Sequence, residues 1–333
     1  MEDLTGLLTN AAALAGYAPS IHNTQPWRWR VSDKALDLYV VPARQLAITD
    51  PDGRLSVLSC GAALHHALVA LAAEGQHVDV TRLPDPADPH HLARIVPHDG
   101  AAAGPGERGP AHVPDYDAVR LVQTVRLRHT DRRPVTDPPV GSDELDKIRA
   151  AVRAQGDDLH VLRQDQVVEL AAAVSYAQRT EAADEAWQAE LAYWTGGDRP
   201  AGTGVPDTAI PAEPPQTTVA GRDFGHPGTL PVSAEHDRAA TFAIIYGEQD
   251  DRPDWLRAGE ALSAAWLTAT ELGVSVVPLS ATVEIPATRL ALRKLLAGLG
   301  EPHLVLRLGH PDPDHAGPPH TPRLPATQTI ERA

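Results

Sequence analysis

The sequence predicts an α+β fold built from two related halves. Residues 61–78 and 259–276 align without a gap, 198 positions apart, and share six identities. In each copy an apolar helix ends at a glycine and a strand follows it. The strands that begin at His91 and His303 form a second candidate pair, HLARIV and HLVLRL. Self-similarity at a fixed offset is the mark of a duplicated structural unit.

The first half opens with an amphipathic helix, because apolar residues recur at helical spacing from Leu4 to Leu14. Two strands follow, one from Trp27 and one over 36–41, and then a long helix over 56–73. Residues 97–114 are rich in glycine and proline, which predicts a loop or linker.

The second half reads mainly as helix. Ser142 is a candidate cap, with two acidic residues in the first turn that follows it. Further helical windows cover 166–194, 254–272 and 287–299.

Between residues 195 and 235 the composition changes to glycine and proline. A structureless insertion of this length in a compact domain is usually a functional lid or is disordered. We expect a lid, because Trp194 and Phe224 can anchor it on an apolar surface.

Composition limits the class of protein. The chain has 333 residues, 42% of them hydrophobic and 22% charged, as in a soluble globular protein. A net charge of −15 argues against a nucleic acid partner, because phosphate binding needs a basic surface. An acidic start and the lack of an apolar run near 18 residues predict neither a secretory signal nor a membrane span, and hence a cytoplasmic protein. Cys60, the one cysteine, is expected to be a buried packing thiol.

The segment from Ala18 to Trp29, APSIHNTQPWRW, is the most informative in the chain. Its small polar residues lie between two prolines and lead into a strand of alternating Trp and Arg. This pattern predicts a polar, ligand-facing turn between a helix and a strand. The segment closely resembles the PS-x-x-N-x-QPW signature of FMN-dependent nitroreductases, and the variant with His22 and Thr24 is most similar to their Acg-type branch.

A second segment, RLRHTDRR over 126–133, concentrates cations in an acidic chain, and we call it the arginine segment. Taken alone it is either a solvated helix end or a turn rich in cations. It also resembles the phosphate-binding RHS-x-K or RRS-x-R segment with which classical nitroreductases begin. Here it begins the second half, while the signature turn lies in the first half.

This division of motifs implies a nitroreductase-like fold in which two halves, 1–115 and 116–333, form a pseudo-dimer within one chain. In a nitroreductase dimer each flavin lies at the subunit interface and contacts both segments. A fused chain that divides them is expected to keep one complete FMN site, and it can therefore act as a monomer.

The resemblance implies particular cofactor contacts. Arginines of the second segment and one near the C-terminus would bind the phosphate, the signature turn would contact the ribityl chain or ring, and a backbone N–H near Leu279 or Ser280 would face flavin N5. The implied set is Pro19, Ser20, Ile21, Asn23, Gln25, Arg128, His129, Thr130, Arg132, Pro278, Leu279, Ser280 and Arg323. The chain lacks the glycine that many relatives have near position 280.

The implied activity is hydride transfer from NAD(P)H through FMN to a nitroaromatic, a quinone or a similar small acceptor. No dedicated acid or base side chain is required, because the cofactor carries the chemistry. Two alternatives stay open: an FMN-sequestering protein with a lid over the flavin, and a specialised flavin-dependent dehydrogenase or oxidase. No metal site is expected, because the histidine pairs are adjacent in sequence and no HExxH or CxxC motif occurs.

Overall fold

The structure is a computed structural model that describes residues 4–97, 115–197, 199–232, 237–312 and 317–333. Its helices are α1 (Leu4–Ala15), α2 (Arg54–Ala73), α3 (Tyr116–Val125), α4 (Ser142–Arg153), α5 (Gln164–Ala182), α6 (Glu185–Thr195), α7 (Arg252–Glu271), α8 (Ala281–Glu284), α9 (Pro286–Leu295) and α10 (Ala326–Thr329). Its strands are β1 (Trp27–Val31), β2 (Leu36–Val40), β3 (Val78–Arg82), β4 (His91–Pro97), β5 (Asp158–Val161), β6 (Thr241–Gly247), β7 (Ser275–Pro278), β8 (Glu301–Gly309) and β9 (Ile330–Arg332). Most of the predicted linker over 97–114 lies outside the described residues.

The strands form two sheets with the same internal order. The first sheet runs β3-β4-β2-β1-β9, and the second runs β5-β6-β8-β7. Read in the same sense, β3-β4-β2-β1 corresponds to β7-β8-β6-β5, and every neighbouring pair in both series is antiparallel. The fold is α+β, and each half of the chain builds one sheet of the same topology.

The order of elements along the chain also corresponds. The first half runs α1, β1, β2, α2, β3, β4, and the second half runs α4, β5, β6, α7, β7, β8. The second half has additional helices between β5 and β6 and, as α8 and α9, between β7 and β8. In the first half the connection between β1 and β2 is a tight turn, closed by the Ser32 N–H on the Ala35 carbonyl. In the second half the same connection carries α5, α6 and the glycine- and proline-rich segment. The predicted lid therefore lies in an insertion into the second half.

Helices α2 and α7 pack against each other at the centre of the molecule, and glycines occupy their crossing point. A Cβ atom at Gly61 would lie 1.9 Å from the Leu256 carbonyl oxygen, and one at Gly259 would lie 1.9 Å from the Leu58 carbonyl oxygen. Gly61 and Gly259 are matched positions of the internal repeat, so the crossing lies on the local symmetry that relates the halves. The two backbones touch here because neither residue has a side chain.

Each half has its own hydrophobic core. In β1 buried Trp27 and Trp29 alternate with exposed Arg28 and Arg30, as the sequence pattern predicts for a half-buried strand. The first core packs these tryptophans against α1, α2 and the inner face of β2 and β4. The second core packs α4, α5, α7 and α9 against the second sheet.

The last strand crosses from one half to the other. After β8, the C-terminal segment runs back to the first sheet, where β9 pairs in parallel with β1, Trp29 opposite Ile330. Sheet membership therefore does not follow a boundary at 115/116, and the division into domains stays a prediction. The crossing carries the chain past α1 and the signature turn, which positions the residues just before β9 beside them.

Some local predictions were wrong. The helical window over 166–194 is two helices, because Asp184 caps α6 by accepting the N–H groups of Ala186 and Trp187. Helix α4 begins one residue earlier than a Ser142 cap requires, since Gly141 is the cap and donates its N–H to the Glu144 carboxylate at 2.8 Å. Strands β5 and β6 were not predicted.

The expectation that no apolar run approaches 18 residues does not hold for α2. This helix of 20 residues is long and apolar enough to cross a membrane, and 83% of its apolar window is buried inside the protein. The core helix of a globular protein can have the same length and composition. Helix α2 is such a helix, because it packs between α7 and the first sheet.

We expect Gly61→Ala to destabilise the protein by about 2 kcal/mol, because the added methyl group forces α2 and α7 apart and overpacking of this kind costs about 1–3 kcal/mol. The same change in an open helix would stabilise by about 1 kcal/mol. Gly197→Ala is the control, since a Cβ atom there meets nothing within 4 Å. Equal unfolding free energies for the two variants in urea titrations would show that the crossing tolerates a side chain.

Candidate functional site

A cavity of 670 Å³ lies where the two halves meet. Its walls come from the signature turn, the first turns of α2, the arginine segment, the inserted segment over 205–227, the end of β7, and residues 319–323 of the C-terminal segment. Segments that are far apart in the sequence therefore surround one volume. Of the thirteen residues that the sequence implied as cofactor contacts, all except Gln25 line this cavity.

The signature turn has an unusual backbone. His22, Asn23 and Gln25 have φ angles of 44°, 54° and 50°, in the left-handed region that residues other than glycine seldom adopt. Two serine hydroxyls hold this conformation: Ser20 Oγ accepts the Gln25 N–H at 3.0 Å, and Ser59 Oγ of α2 accepts the Ile21 N–H at 3.1 Å. Such strain is typical of a segment whose shape serves a ligand.

The side chains of Asn23 and Gln25 bind protein rather than open space. Asn23 Nδ2 donates to the carbonyls of Gly204 (3.1 Å) and Pro322 (2.9 Å). Gln25 is fully buried, donates to the Gly202 carbonyl at 2.7 Å and accepts the Leu324 N–H at 2.9 Å. Both residues therefore fasten the turn to the inserted segment and to the C-terminal segment, and Gln25 lies behind the cavity wall.

Two arginines converge at one end of the cavity, Arg128 buried and Arg323 half-buried. Arg128 and Arg323 both donate to the Tyr17 carbonyl, at 3.1 and 3.2 Å. Neither has an ion pair with a carboxylate within the described residues, and the Nε atoms of both are buried without a partner. Burial lowers the pKa of Arg128 to about 9, and the charge of Arg323 adds to this effect. Burial also lowers the pKa of Arg323 to about 10.

Arg128 also lies over the Trp266 ring, with its guanidinium carbon 4.5 Å from the ring centroid. This cation–π contact offsets part of the cost of burying the charge. The remaining imbalance is what an anion would correct, since guanidinium groups are planar donors suited to phosphate and carboxylate.

Histidines add to the same end of the cavity. His129 and His320 both line it, with ring centroids 5.8 Å apart. Burial, the charge of His129 and the charges of Arg128 and Arg323 lower the pKa of His320. Sequence reasoning missed His320, because it precedes Arg323 in a segment whose position depends on the crossing to β9.

Arg132 lies in a different part of the site from Arg128. It donates to the Ala209 carbonyl at 2.9 Å, and its guanidinium carbon is 5.1 Å from the Phe224 ring centroid. Burial and then the charges of Arg222 and Arg307 lower its pKa to about 10. The resemblance implied that Arg128, Arg132 and Arg323 all bind the phosphate. In the structure Arg128 and Arg323 share the Tyr17 carbonyl, whereas Arg132 contacts the inserted segment through Ala209 and Phe224.

The segment after β7 offers a single backbone donor among the three predicted positions. Pro278 has no N–H, and the Leu279 N–H already donates to the Val305 carbonyl at 2.8 Å. Ser280 has no backbone partner for its N–H within the described residues, and it lines the cavity. Among Pro278, Leu279 and Ser280, only Ser280 therefore has a backbone N–H that is free for a ligand within the described residues.

The inserted segment is folded over the cavity, as far as the described residues show. Its side chains form a small core with α6, and Trp194 and Phe224 are both buried. It is also fixed by charge: Arg222 contacts Glu284 of α8 at 2.5 Å and Glu181 of α5 at 3.4 Å. We call these three residues the latch.

The latch is almost entirely removed from water. Burial raises the pKa of Glu181 to about 7, against the opposing effect of Arg222. Burial alone would lower the pKa of Arg222, but the charges of Glu284 and Glu181 raise it. Breaking such a pair leaves buried charges uncompensated, which is strongly unfavourable. The sequence gave no sign of these contacts, because the three residues are distant in the chain.

Comparison with known proteins places the chain among nitroreductases. It is 40% identical over 323 residues to Rv3131 of Mycobacterium tuberculosis, named as a candidate NAD(P)H nitroreductase, covering 96% of this chain and 89% of that protein. It is 34% identical over 337 residues to Acg of the same organism, named in the same way, covering 98% and 96%. An uncharacterised protein of that organism, Rv3127, is 32% identical over 339 residues, covering 98% of this chain and 93% of the relative. No family model matches the chain.

Among solved structures, the chain is similar to an FMN-bound nitroreductase from Bacteroides fragilis, with 14% identity, a TM-score of 0.37, and coverage of 60% of this chain and 93% of that one. It is similar at the same identity and TM-score to the NADPH:FMN oxidoreductase from Vibrio harveyi complexed with NAD⁺, covering 62% and 74%.

The mycobacterial relatives match nearly the full length of this chain at 32–40% identity. The chain belongs to the NAD(P)H nitroreductase family.

Proposed function

We propose that this protein binds one FMN in the cavity between its halves and transfers hydride from NAD(P)H to a small acceptor such as a nitroaromatic or a quinone. The observation that carries the proposal is the pair Arg128, which is buried, and Arg323, which is half-buried. They lie at one end of the cavity, and neither has a carboxylate partner within the described residues. The names of the mycobacterial relatives support NAD(P)H as the reductant. Since one chain supplies both sides of the site, a monomer suffices to form it.

The site fits a flavin mononucleotide in size and in charge. A volume of 670 Å³ lies in the range of about 300–1,000 Å³ that cofactor sites occupy. Arg128 and Arg323 would hold the phosphate, with Thr130 and the histidines beside them. Pro19, Ser20, Ile21 and Asn23 would line the ribityl chain, and Gln25 would act by fixing the shape of the turn.

The opposite part of the cavity would hold the isoalloxazine ring. Arg132 would place a positive charge near the ring, where it stabilises the negative charge of the reduced state. The Ser280 N–H is the backbone donor available to N5. When bound, FMN supplies the two-electron hydride chemistry, and the residues named here bind and orient it.

One such site is expected in each chain. The signature turn lies between α1 and β1, and the corresponding connection in the second half, between α4 and β5, consists only of residues 154–157. That short connection cannot reproduce the turn. The chain is then a pseudo-dimer that has kept one of two symmetry-related sites.

Purified protein should be yellow and carry about one FMN per chain, because one signature turn serves one cavity. Release of the flavin with acid and its quantitation against protein concentration measure the ratio. A ratio of two would disprove the single-site interpretation.

Arg128→Ala should weaken FMN binding by about tenfold to a hundredfold, since loss of a charge-assisted contact costs about 1.5–3 kcal/mol. Riboflavin, which has no phosphate, should lose much less affinity. Arg126→Ala is the matched control, because Arg126 lies in the same segment but contacts the Tyr17 ring outside the cavity. Equal losses for FMN and riboflavin on titration of the apoprotein would assign Arg128 a structural role.

The latch favours one alternative, a protein that sequesters FMN beneath a closed lid. If Arg222, Glu181 and Glu284 keep the inserted segment closed, a nicotinamide cannot stack on the flavin, and hydride transfer needs close contact. Lid opening would then limit reduction, as such motions limit many enzymes.

Arg222→Gln should speed flavin reduction by dithionite about tenfold or more and loosen FMN, because the amide keeps a hydrogen bond but removes the charge of the latch. Arg163→Gln, which disrupts an exposed pair with Asp165, should leave the rate unchanged. Anaerobic stopped-flow bleaching of the flavin measures both. If the unmodified protein is already reduced by NADPH at about 1 per second or faster, sequestration is wrong and the enzyme is confirmed.

If neither the unmodified protein nor Arg222→Gln is reduced by NADH or NADPH while dithionite reduces both, the closed lid does not explain the resistance. The physiological reductant would then be something other than a nicotinamide.

A further inference from the structure

His22 is a buried side chain that faces the cavity without a protein partner. It is 8% exposed, it lines the cavity, and its Nε2 atom is buried with no hydrogen bond within the described residues. An unsatisfied buried polar atom is costly, and its backbone is also held at a φ of 44°. The unsatisfied Nε2 atom and the left-handed backbone are both unfavourable, and they occur at one residue that lines a cavity. They point to a ligand that forms a hydrogen bond with the imidazole.

The charges around His22 define what that ligand can be. Burial, and then the charges of Arg222 of the inserted segment and Arg132 of the arginine segment, hold the pKa of His22 well below its usual value. Further out, Arg222 is paired with the latch carboxylates Glu181 and Glu284. The imidazole is therefore neutral, and its neighbours in the cavity are hydrogen-bond donors. The positive charges that act on His22 favour an oxygen acceptor over a cation.

The two arginines whose charges act on His22 both belong to the lid side of the cavity, so His22 is assigned to that side. Arg132 lies under the Phe224 ring, and Arg222 reaches Ser280 Oγ at 3.4 Å. Ser280 is the residue whose free N–H we assign to flavin N5, so His22 is near the reactive part of the site. The walls there are apolar, formed by Val174, Ile210, Val219 and Phe224.

We propose that His22 binds an oxygen atom of a second small ligand, a planar apolar molecule with a nitro or quinone oxygen, which lies between the lid and the site assigned to FMN. The inference rests on the proposed function, because it takes the remainder of the cavity as the flavin site. His22 is then a residue that selects and orients the electron acceptor. It need not supply a proton, since its contribution is one hydrogen bond.

Nitrobenzene and toluene test this proposal, because they have nearly the same shape and differ in the oxygens. Each is titrated into the oxidised, FMN-loaded protein and followed by the flavin absorbance and tryptophan fluorescence, so that no turnover is needed. The variants are His22→Gly, which accepts a positive φ without cost, and His22→Asn, which tolerates this backbone and keeps a donor. His226→Asn is the matched control, a cavity histidine whose ring nitrogens already contact Phe224 and Asp207.

We expect the unmodified protein to prefer nitrobenzene over toluene, and His22→Gly to lose about five- to tenfold of that preference. His22→Asn should restore part of it, and His226→Asn should keep it within twofold. The dissociation constant of FMN should change by less than twofold in all three variants, and thermal unfolding should confirm that each is folded.

Two results would overturn the proposal. If FMN affinity falls in His22→Gly while the preference for nitrobenzene is kept, the imidazole binds the flavin itself. If neither changes, His22 is structural. A chain that takes up no FMN would refute the proposed function separately, and the same ligand pair on the flavin-free protein would then decide the role of His22.

Discussion

The close crossing of α2 and α7 is the contact on which the rest of the structure depends. Gly61 and Gly259 allow the two backbones to touch, and Leu58 and Leu256 supply the carbonyls that face them. One helical turn further along, His65 Nδ1 and Ser263 Oγ meet at 2.8 Å across the same interface. Because matched positions of the repeat meet each other here, the separation and angle of the two sheets are fixed at this point. The cavity exists because the halves meet in this arrangement.

The residues that form the site lower the stability of the folded protein. Arg128 is buried, Arg132 and Arg323 are half-buried, and all three have lowered pKa values. Three residues of the signature turn have left-handed backbone conformations. None of these features contributes to stability, and each is of the kind that proteins retain where function requires it. They concentrate around one volume, which is the physical argument that a ligand, anionic at one end, occupies it.

The insertion between β5 and β6 is the structural difference that lets the second half cover the cavity. In the first half this connection is a tight turn, and in the second it carries two helices and the segment that covers the cavity. Its attachment is partly apolar, through Phe224, and partly ionic, through the latch. Breaking a desolvated ion pair by loss of one partner leaves buried charge uncompensated, which is strongly unfavourable. In the proposed function, the choice between turnover and sequestration would therefore depend on the stability of the latch.

Local patterns in the sequence determined much of this protein. The repeat predicted two related halves, the Trp and Arg alternation predicted β1, and the turn from Ala18 to Trp29 together with the arginine segment indicated the family and twelve of the residues that line the cavity. These signals are readable because each depends on neighbours in the chain, through backbone preferences, side-chain periodicity or a short motif. Contacts between distant segments were decided only by the tertiary structure. The crossing of β9 brings Arg323 and His320 to Arg128, the folded insertion contacts Arg132, and Gln25 turns into the wall. Burial then shifts the pKa values of His22 and the latch residues. Desolvation depends on every group packed around a side chain, and a local stretch of sequence does not contain that information.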